Sequence, residues 1–327
     1  MNATRTTTGW RAAGALGVLV SASLALGVLT SLLVVQLAHA LPDTWSYALL
    51  RKGPETVTRR CLLIWAVLLI PLLLRQTGWR GWRDIGWRDD TAAESRGSGR
   101  RDALRGVALG LLTLGSLALF AWLRGWHISS PLAPGTSAPL TLLNYAVSGL
   151  AVAVIEETLA RGMLFRLWAR AWGGIAAAAV SSLLFGLAHF VDPARGAFDQ
   201  PTFMTTAWSV LKSAIVQIPE VPHFGLRLLN LTLLGLVLCA MVWHTRTIWL
   251  AVGAHAAWVW CIKTSNLLTD PAPLRPWSPW WGVRADATDS LASTLLMLGL
   301  LIVFAALPRR ASCAPVPAAP PGADHSQ

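Results

Sequence analysis

The sequence predicts an all-α polytopic membrane protein of about eight transmembrane helices, and three observations predict it. Of the 327 residues, 54% are hydrophobic and only 13% charged, with a mean hydropathy of +0.52, which is outside the usual range of soluble globular domains. Apolar stretches long enough to cross hydrocarbon, about 20 residues at ~1.5 Å each, recur along nearly the whole chain. Tryptophan is abundant and tyrosine scarce, 18 against 2. Many of the tryptophans, among them Trp10, Trp122, Trp126, Trp243 and Trp249, stand at the ends of apolar runs, where an amphipathic ring anchors at the headgroups.

Uninterrupted apolar runs place spans near residues 12–36, 57–74, 106–123, 140–160, 174–190, 226–243, 247–264 and 290–307. The first follows Arg5 and Arg11 and precedes Ala38-His39-Ala40, a small-x-small pattern of the signal-peptidase type. Its length exceeds a typical signal h-region, so it reads as an uncleaved signal anchor. A weaker stretch from Phe203 to Ile218 reads as a re-entrant or surface helix. The tail from Pro308, rich in Pro and Ala, has little to pack and is expected to be disordered.

The net charge of +11 is spread over short loops as arginine, which suits topology rather than nucleic acid, and no nucleic-acid partner is expected. With eight spans and an inside N-terminus, 16 of the 27 basic residues fall on the cytoplasmic side, including eight arginines from Arg75 to Arg105. This bias places both termini in the cytoplasm. The Arg75–Arg105 loop repeats Trp-Arg pairs (Trp79-Arg80, Trp82-Arg83, Trp87-Arg88), which suit a segment lying on the cytoplasmic headgroups, although the simpler reading, a topogenic loop, is preferred. Cys61, Cys239, Cys261 and Cys313 show no metal-ligand spacing.

Ionisable side chains inside apolar spans cost roughly 2.5 to 3.5 kcal/mol each for charged groups on insertion scales, so each is a functional candidate. Glu156, Glu157, Arg161, His189 and His255 stand out in this way. Adjacent helical residues point about 100° apart, so the two carboxylates are expected to have separate tasks. Glu157 precedes Arg161 by four residues, the favourable order for a helical ion pair. Glu156 is left to face a cavity.

Gly173-Gly174 can reverse the chain, making the fourth and fifth spans an antiparallel hairpin with Glu156 and His189 at one depth. A second hairpin turning at His244–Thr247 brings His255 to a similar level. A glutamate withdrawn from water is a competent general base, and imidazoles beside it can hold the water or stabilise an oxyanion. That chemistry is peptide hydrolysis without a protein nucleophile. The same Glu156, His189 and His255 can alternatively ligate zinc as His₂Glu.

At these residues the chain resembles the CAAX-protease and bacteriocin-processing family, also called the type II CAAX endopeptidase or Abi family. Glu156-Glu157-Thr-Leu-Ala-Arg161-Gly162 resembles its EExxxR motif, Phe185-Gly-Leu-Ala-His189 its FxxxH motif, and Gly253-Ala-His255-Ala-Ala-Trp258 its histidine motif. Ile85-Gly-Trp-Arg88 is loosely similar to a segment of family members. The resemblance implies an intramembrane glutamic endopeptidase in which Glu156 activates water with His189 and His255 serves the oxyanion site. Glu157, Arg161 and Phe185 are its structural support. No cofactor is expected, with zinc as the alternative, and the implied partners are the lipid bilayer and a membrane-associated peptide or protein substrate.

One departure is Val259, where the family usually has Asn or Asp four residues after the histidine; Asn266 lies too far along the span to replace it, and Asn230 on the sixth span is the candidate substitute. Residues 1–139 then read as an N-terminal region with three spans and a basic cytoplasmic loop. Residues 140–264 read as the catalytic core, 265–307 as an extracytoplasmic loop and last span, and 308–327 as the tail. The stretch after His189, with Asp192, Asp199, Glu220 and His223, reads as a lid or an ordinary loop. The Arg- and Ala-rich composition suits a bacterial inner (plasma) membrane. A non-catalytic membrane scaffold and a proton- or substrate-translocating protein are the competing functions.

Overall fold

The computed structural model describes residues 3–41, 54–72, 81–88, 98–190 apart from 126, 130, 133 and 134, and then 202, 204–208, 212, 223–271, 279–282 and 288–307. Helices occupy all eight predicted positions. They are α1 (Ala3–Ala40), α2 (Pro54–Leu68), α3 (Ser98–Gly110, continued through Leu111–Gly115 to Ser116–Leu123) and α4 (Ala138–Trp172). After them come α5 (Gly174–Ala188), α6 (Phe224–Thr245), α7 (Trp249–Leu268) and α8 (Leu291–Ala306). Four stretches, Gly17–Ala38, Gly99–Leu123, Ala138–Trp172 and Phe224–Thr245, are long and apolar enough to cross a membrane. Large apolar side chains such as Leu112, Leu140, Leu143, Val147 and Ile302 stand on the outside, a surface suited to lipid rather than water.

The fold is built around α7. Every residue from Leu250 to Trp258 is buried, so this helix is enclosed on all sides. Its small residues make that possible. A Cβ on Gly253 would collide with the Ala103 carbonyl, one on Gly106 with the Leu250 carbonyl, and one on Gly110 with Ala257 and the Ala254 carbonyl. Helices α3 and α7 therefore pack backbone to backbone, as small-residue interfaces in membranes do. These contacts also make the two helices parallel, and the chain beyond each forms a short antiparallel ladder, β1 (His127–Ser129) with β2 (Thr269–Pro271). On another side α7 meets α4, where Gly149 lies against the Ala256 carbonyl.

The two expected hairpins are present. Gly173, at φ +87, ends α4 and opens α5, in a backbone conformation that favours glycine. Helix α6 ends at Arg246, in the left-handed region at φ 64, with Thr245 Oγ1 donating within the turn to the Met241 or Thr247 carbonyl. Helix α5 lies against α6, α6 against α8, and α1 against α2 and the end of α4.

Within the Trp-Arg loop, residues 81–88 pack against the protein through Ile85, Gly86 and Trp87, while Trp82, Arg83 and Arg88 are exposed. Ile85 is buried, the Gly86 carbonyl accepts from Ile248 N–H, and the Trp87 carbonyl accepts from Trp249 Nε1 at 3.0 Å. Arg166 donates to the carbonyls of Asp84 and Arg246, joining this loop to the end of α4 and to the second hairpin turn. Two apolar side chains, Ile85 and Trp87, thus anchor the segment while the arginines beside them stay exposed. Trp79-Arg80, the 308–327 tail, Asp192, Asp199 and Glu220 lie outside the described residues. Of the weak stretch after Phe203, residues 204–208 are helical.

Substituting Gly253 by Val tests the central crossing. Because the obstructing atoms are backbone, relief requires helix displacement, and overpacking of this kind costs about 1–3 kcal/mol. The expected result is a lower thermal unfolding midpoint in detergent, whereas Gly299→Val, where a Cβ meets nothing within 4 Å, leaves it unchanged.

Candidate active site

The EExxxR segment sits where α4 changes winding. Ala138–Glu157 is α-helical, Thr158–Phe165 is a π-helical segment, and Arg166–Trp172 resumes the α-helix. Such π segments are rare and concentrate at functional positions. Thr158 Oγ1 donates to the Val154 carbonyl at 2.6 Å, satisfying an acceptor at the transition. The wider turn carries Glu157 and Arg161 inward together.

Arg161 Nη1 donates to Glu157 Oε1 at 3.0 Å, and the two side chains are 1% and 0% exposed. The other guanidinium nitrogen, Nη2, donates to the Gly235 carbonyl of α6 at 3.3 Å. That approach is possible because Gly235 is packed so closely on Ser182 that a Cβ would clash. The guanidinium plane lies over the Phe185 ring, 4.2 Å from its centroid, a favourable cation–π position. One buried cation thus joins α4, α5 and α6.

Glu157 Oε1 also accepts from His255 Nδ1 at 2.8 Å, which ties α7 into the same cluster. On the opposite edge of that imidazole, His255 Nε2 lies 3.8 Å from Glu156 Oε2. The expectation that the two carboxylates have unrelated tasks is therefore modified. An imidazole presents nitrogens on two edges, so one ring can address two adjacent helical residues despite their 100° separation. With Nδ1 donating to Glu157, the ring turns its other nitrogen, Nε2, toward Glu156.

Glu156 behaves differently from its neighbour. Its side chain is 31% exposed, and among the described residues neither oxygen has a hydrogen-bond partner; Oε2 is buried. This is the free carboxylate that the i,i+4 argument singles out. His189 stands one residue past the end of α5, its Nδ1 paired with the Phe185 carbonyl at 2.8 Å and its ring 4.6 Å from that of Phe185. The Phe185 ring is also 6.1 Å from the His255 ring, so it neighbours both imidazoles. No hydrogen bond or ion pair joins His189 to Glu156 among the described residues.

The residues considered for the missing polar group are placed elsewhere. Val259 lies against Gly149 of α4. Asn230 is fully engaged, its Nδ2 donating to the carbonyls of Thr288 and Ser290 at 2.8 and 2.9 Å and its Oδ1 accepting from Thr294. It fastens the approach to α8. Asn266 is exposed on the last turn of α7.

A zinc ion needs three convergent protein donors with an open fourth position. His255 Nδ1 faces Glu157 and His189 Nδ1 faces the Phe185 carbonyl, which leaves each Nε2 open, as in a metal-ligating histidine. No group of three or more His, Cys, Asp or Glu is disposed to hold a metal ion among the described residues, and no chemistry is derived through one.

Three features of this region were not read from the sequence. The Gly235 carbonyl is a backbone acceptor with no side-chain signature. The insertion of Ile85 against Gly162 was signalled only by the apolar residue in a basic loop. Lys263, within the seventh apolar run, was open to the same test as the other intramembrane charges; its Nζ donates to Ser148 Oγ at 2.7 Å.

The family model described as type II CAAX prenyl endopeptidase, Rce1-like, matches residues 138–261. The matched stretch runs from the start of α4 through most of α7 and contains both hairpins and every residue of the buried cluster. It agrees with the resemblance carried by the three motifs. No curated protein and no solved structure matches the chain.

Replacing Arg161 by Met leaves the Glu157 carboxylate buried and uncompensated, which costs about 3–5 kcal/mol. The Arg161→Met protein is expected to lose folded yield and thermal stability. The Glu157→Leu/Arg161→Met pair is expected to recover most of both, and a double-mutant cycle in thermal unfolding measures the coupling.

Proposed function

We propose, from the premise that residues 138–261 form an Rce1-like type II CAAX prenyl endopeptidase domain in a membrane protein, that this chain is an intramembrane glutamic endopeptidase with Glu156 as its base. The observation that carries the reading is the unpartnered carboxylate of Glu156 beside His255 Nε2, in a cluster whose other charges are already matched.

In this reading Glu156 takes a proton from water as the oxygen attacks the scissile carbonyl carbon. His255, protonated at both nitrogens, donates from Nε2 to the developing oxyanion while Glu157 stabilises its positive charge through Nδ1. Collapse of the tetrahedral intermediate breaks the C–N bond, and Glu156 returns its proton to the leaving amine. His189, held by Phe185, borders the water position from the α5 side. Because Val259 supplies no amide, oxyanion stabilisation falls to His255.

The eight apolar helices are taken as eight spans of a bacterial inner membrane with both termini cytoplasmic, in line with the arginine distribution. Residues 140–264 are the catalytic core. The hairpin turns and the 81–88 loop then lie on the cytoplasmic side.

Two measurements test this reading. Comparative mass spectrometry of membrane peptides from cells expressing wild type or Glu156→Gln at equal protein level should show uncleaved precursors accumulating in the variant, with turnover lower by about 10²–10⁴-fold. Identical peptide profiles would favour a scaffold or translocating role. The purified protein should keep its activity through chelation, and co-purification of one zinc per chain with loss of activity on its removal would replace the metal-free mechanism.

A further inference from the structure

Helix α4 carries Glu156 and is also the most exposed of the four membrane-length stretches. Only 11% of its most apolar part is buried, against 22% to 50% in the other three. On one side Gly149 lies against the Ala256 carbonyl and Ala153 is fully buried, so that side faces α7. On the other side Leu140, Asn144, Val147 and Ala151 are all exposed, Leu140 by 67% and Val147 by 62%. Their spacing of four, three and four residues aligns them in one stripe along the helix, with Leu143 and Leu150 beside it.

Asn144 is out of place in that stripe. A carboxamide has two donors and an acceptor, yet no described residue makes a hydrogen bond with this one. It stands six residues after Ala138 at the start of α4, about 9 Å along the axis at ~1.5 Å per residue, between Leu140, Leu143 and Val147. Lipid tails offer it no acceptor or donor, and amides in hydrocarbon are satisfied across helices. Asn230, the other asparagine well inside a membrane-length helix, has its amide nitrogen and its oxygen engaged.

We propose that this stripe is the interface of a homodimer in which the Asn144 side chains of two copies bond to each other. Two copies in one membrane share an orientation, so a two-fold axis along the membrane normal brings each residue of the stripe opposite itself. An asparagine is self-complementary in that arrangement, the amide N–H of one copy donating to the carbonyl oxygen of the other. A single asparagine in an otherwise apolar stripe of this spacing also fixes register and strand number in parallel helix pairs. Ala151, one position further along the stripe, lets the two backbones approach. Glu156 is twelve residues beyond Asn144, about 120° further around the helix at 3.6 residues per turn, so pairing leaves the catalytic cluster untouched. The dimer follows from the membrane setting alone and stands whether or not the chain is a protease.

The test is self-association of the full-length protein in phosphatidylethanolamine and phosphatidylglycerol vesicles. It is read as resonance energy transfer between donor- and acceptor-labelled copies over a series of protein-to-lipid ratios. Wild type is expected to associate, Asn144→Leu to associate about five- to thirtyfold more weakly, and Asn144→Gln, which keeps a carboxamide, to retain most of the transfer. Ile302→Ala, on the exposed face of α8, should change nothing. The Asn144 side chain is exposed and unbonded within the chain, so Asn144→Leu should unfold at the wild-type temperature, which separates lost association from lost fold. With Cys313 replaced by Ser, Val147→Cys is expected to give a disulfide-linked pair on oxidation in the vesicles, whereas Leu112→Cys, outward on α3, is not. Wild-type protein that stays monomeric at every ratio overturns the proposal, and so does transfer that Asn144→Leu leaves unchanged. Asn144-dependent capture of a different membrane protein, with the purified chain monomeric, assigns the stripe to that protein and overturns the homodimer equally.

Discussion

Arg161 carries a full charge into a layer where only 1% of its side chain is exposed, and that charge has to be met there. Glu157 neutralises it, the Gly235 carbonyl takes a second donor and the Phe185 ring faces the guanidinium plane. His255 then uses the same carboxylate oxygen. One ion pair therefore fixes α4 against α5, α6 and α7, and the relative placement of Glu156 and His255 follows from it. Buried ion pairs rarely add net stability over apolar replacements; here the gain is positional, because the pair leaves Glu156 the unmatched member.

The rest of the packing keeps that cluster dry and close. Glycines at 106, 110 and 253 let α3 and α7 meet backbone to backbone, and apolar side chains such as Leu112, Leu140 and Ile302 cover the outside. The 81–88 loop, held by Arg166 and by Trp87 against Trp249, ties the end of α4 to the second hairpin turn. With those ends fastened, the depth of residues 156 and 255 is set by helix rise alone.

Much of this was legible in the amino-acid order. Helix positions followed from apolar run length, and the Gly173-Gly174 and His244–Thr247 reversals from local turn chemistry. The Glu157–Arg161 pair followed from helical spacing. What escaped depended on tertiary geometry. Spacing on an ideal helix separates Glu156 from Glu157, whereas an imidazole from another helix reaches both, and nothing local marks the π-helical winding from Thr158 to Phe165. Asn230, a reasonable oxyanion candidate by residue type, is consumed by the approach to α8. The arginine-rich loop reads as a surface segment because its charges outnumber Ile85 and Trp87, the two side chains that anchor it against the protein.

The central claim is that Glu157, neutralised by Arg161, holds His255 by Nδ1 and leaves Nε2 for Glu156. The most direct measurement is the imidazole ¹⁵N–¹H spectrum of histidine-labelled protein in micelles, with the His255 signals assigned by their loss in His255→Asn. The account predicts a strongly downfield, exchange-protected Nδ1 proton on His255 that persists in Glu156→Gln and disappears in Glu157→Leu/Arg161→Met. A proton that survives removal of Glu157 and Arg161, or that vanishes when Glu156 alone is changed, would contradict it.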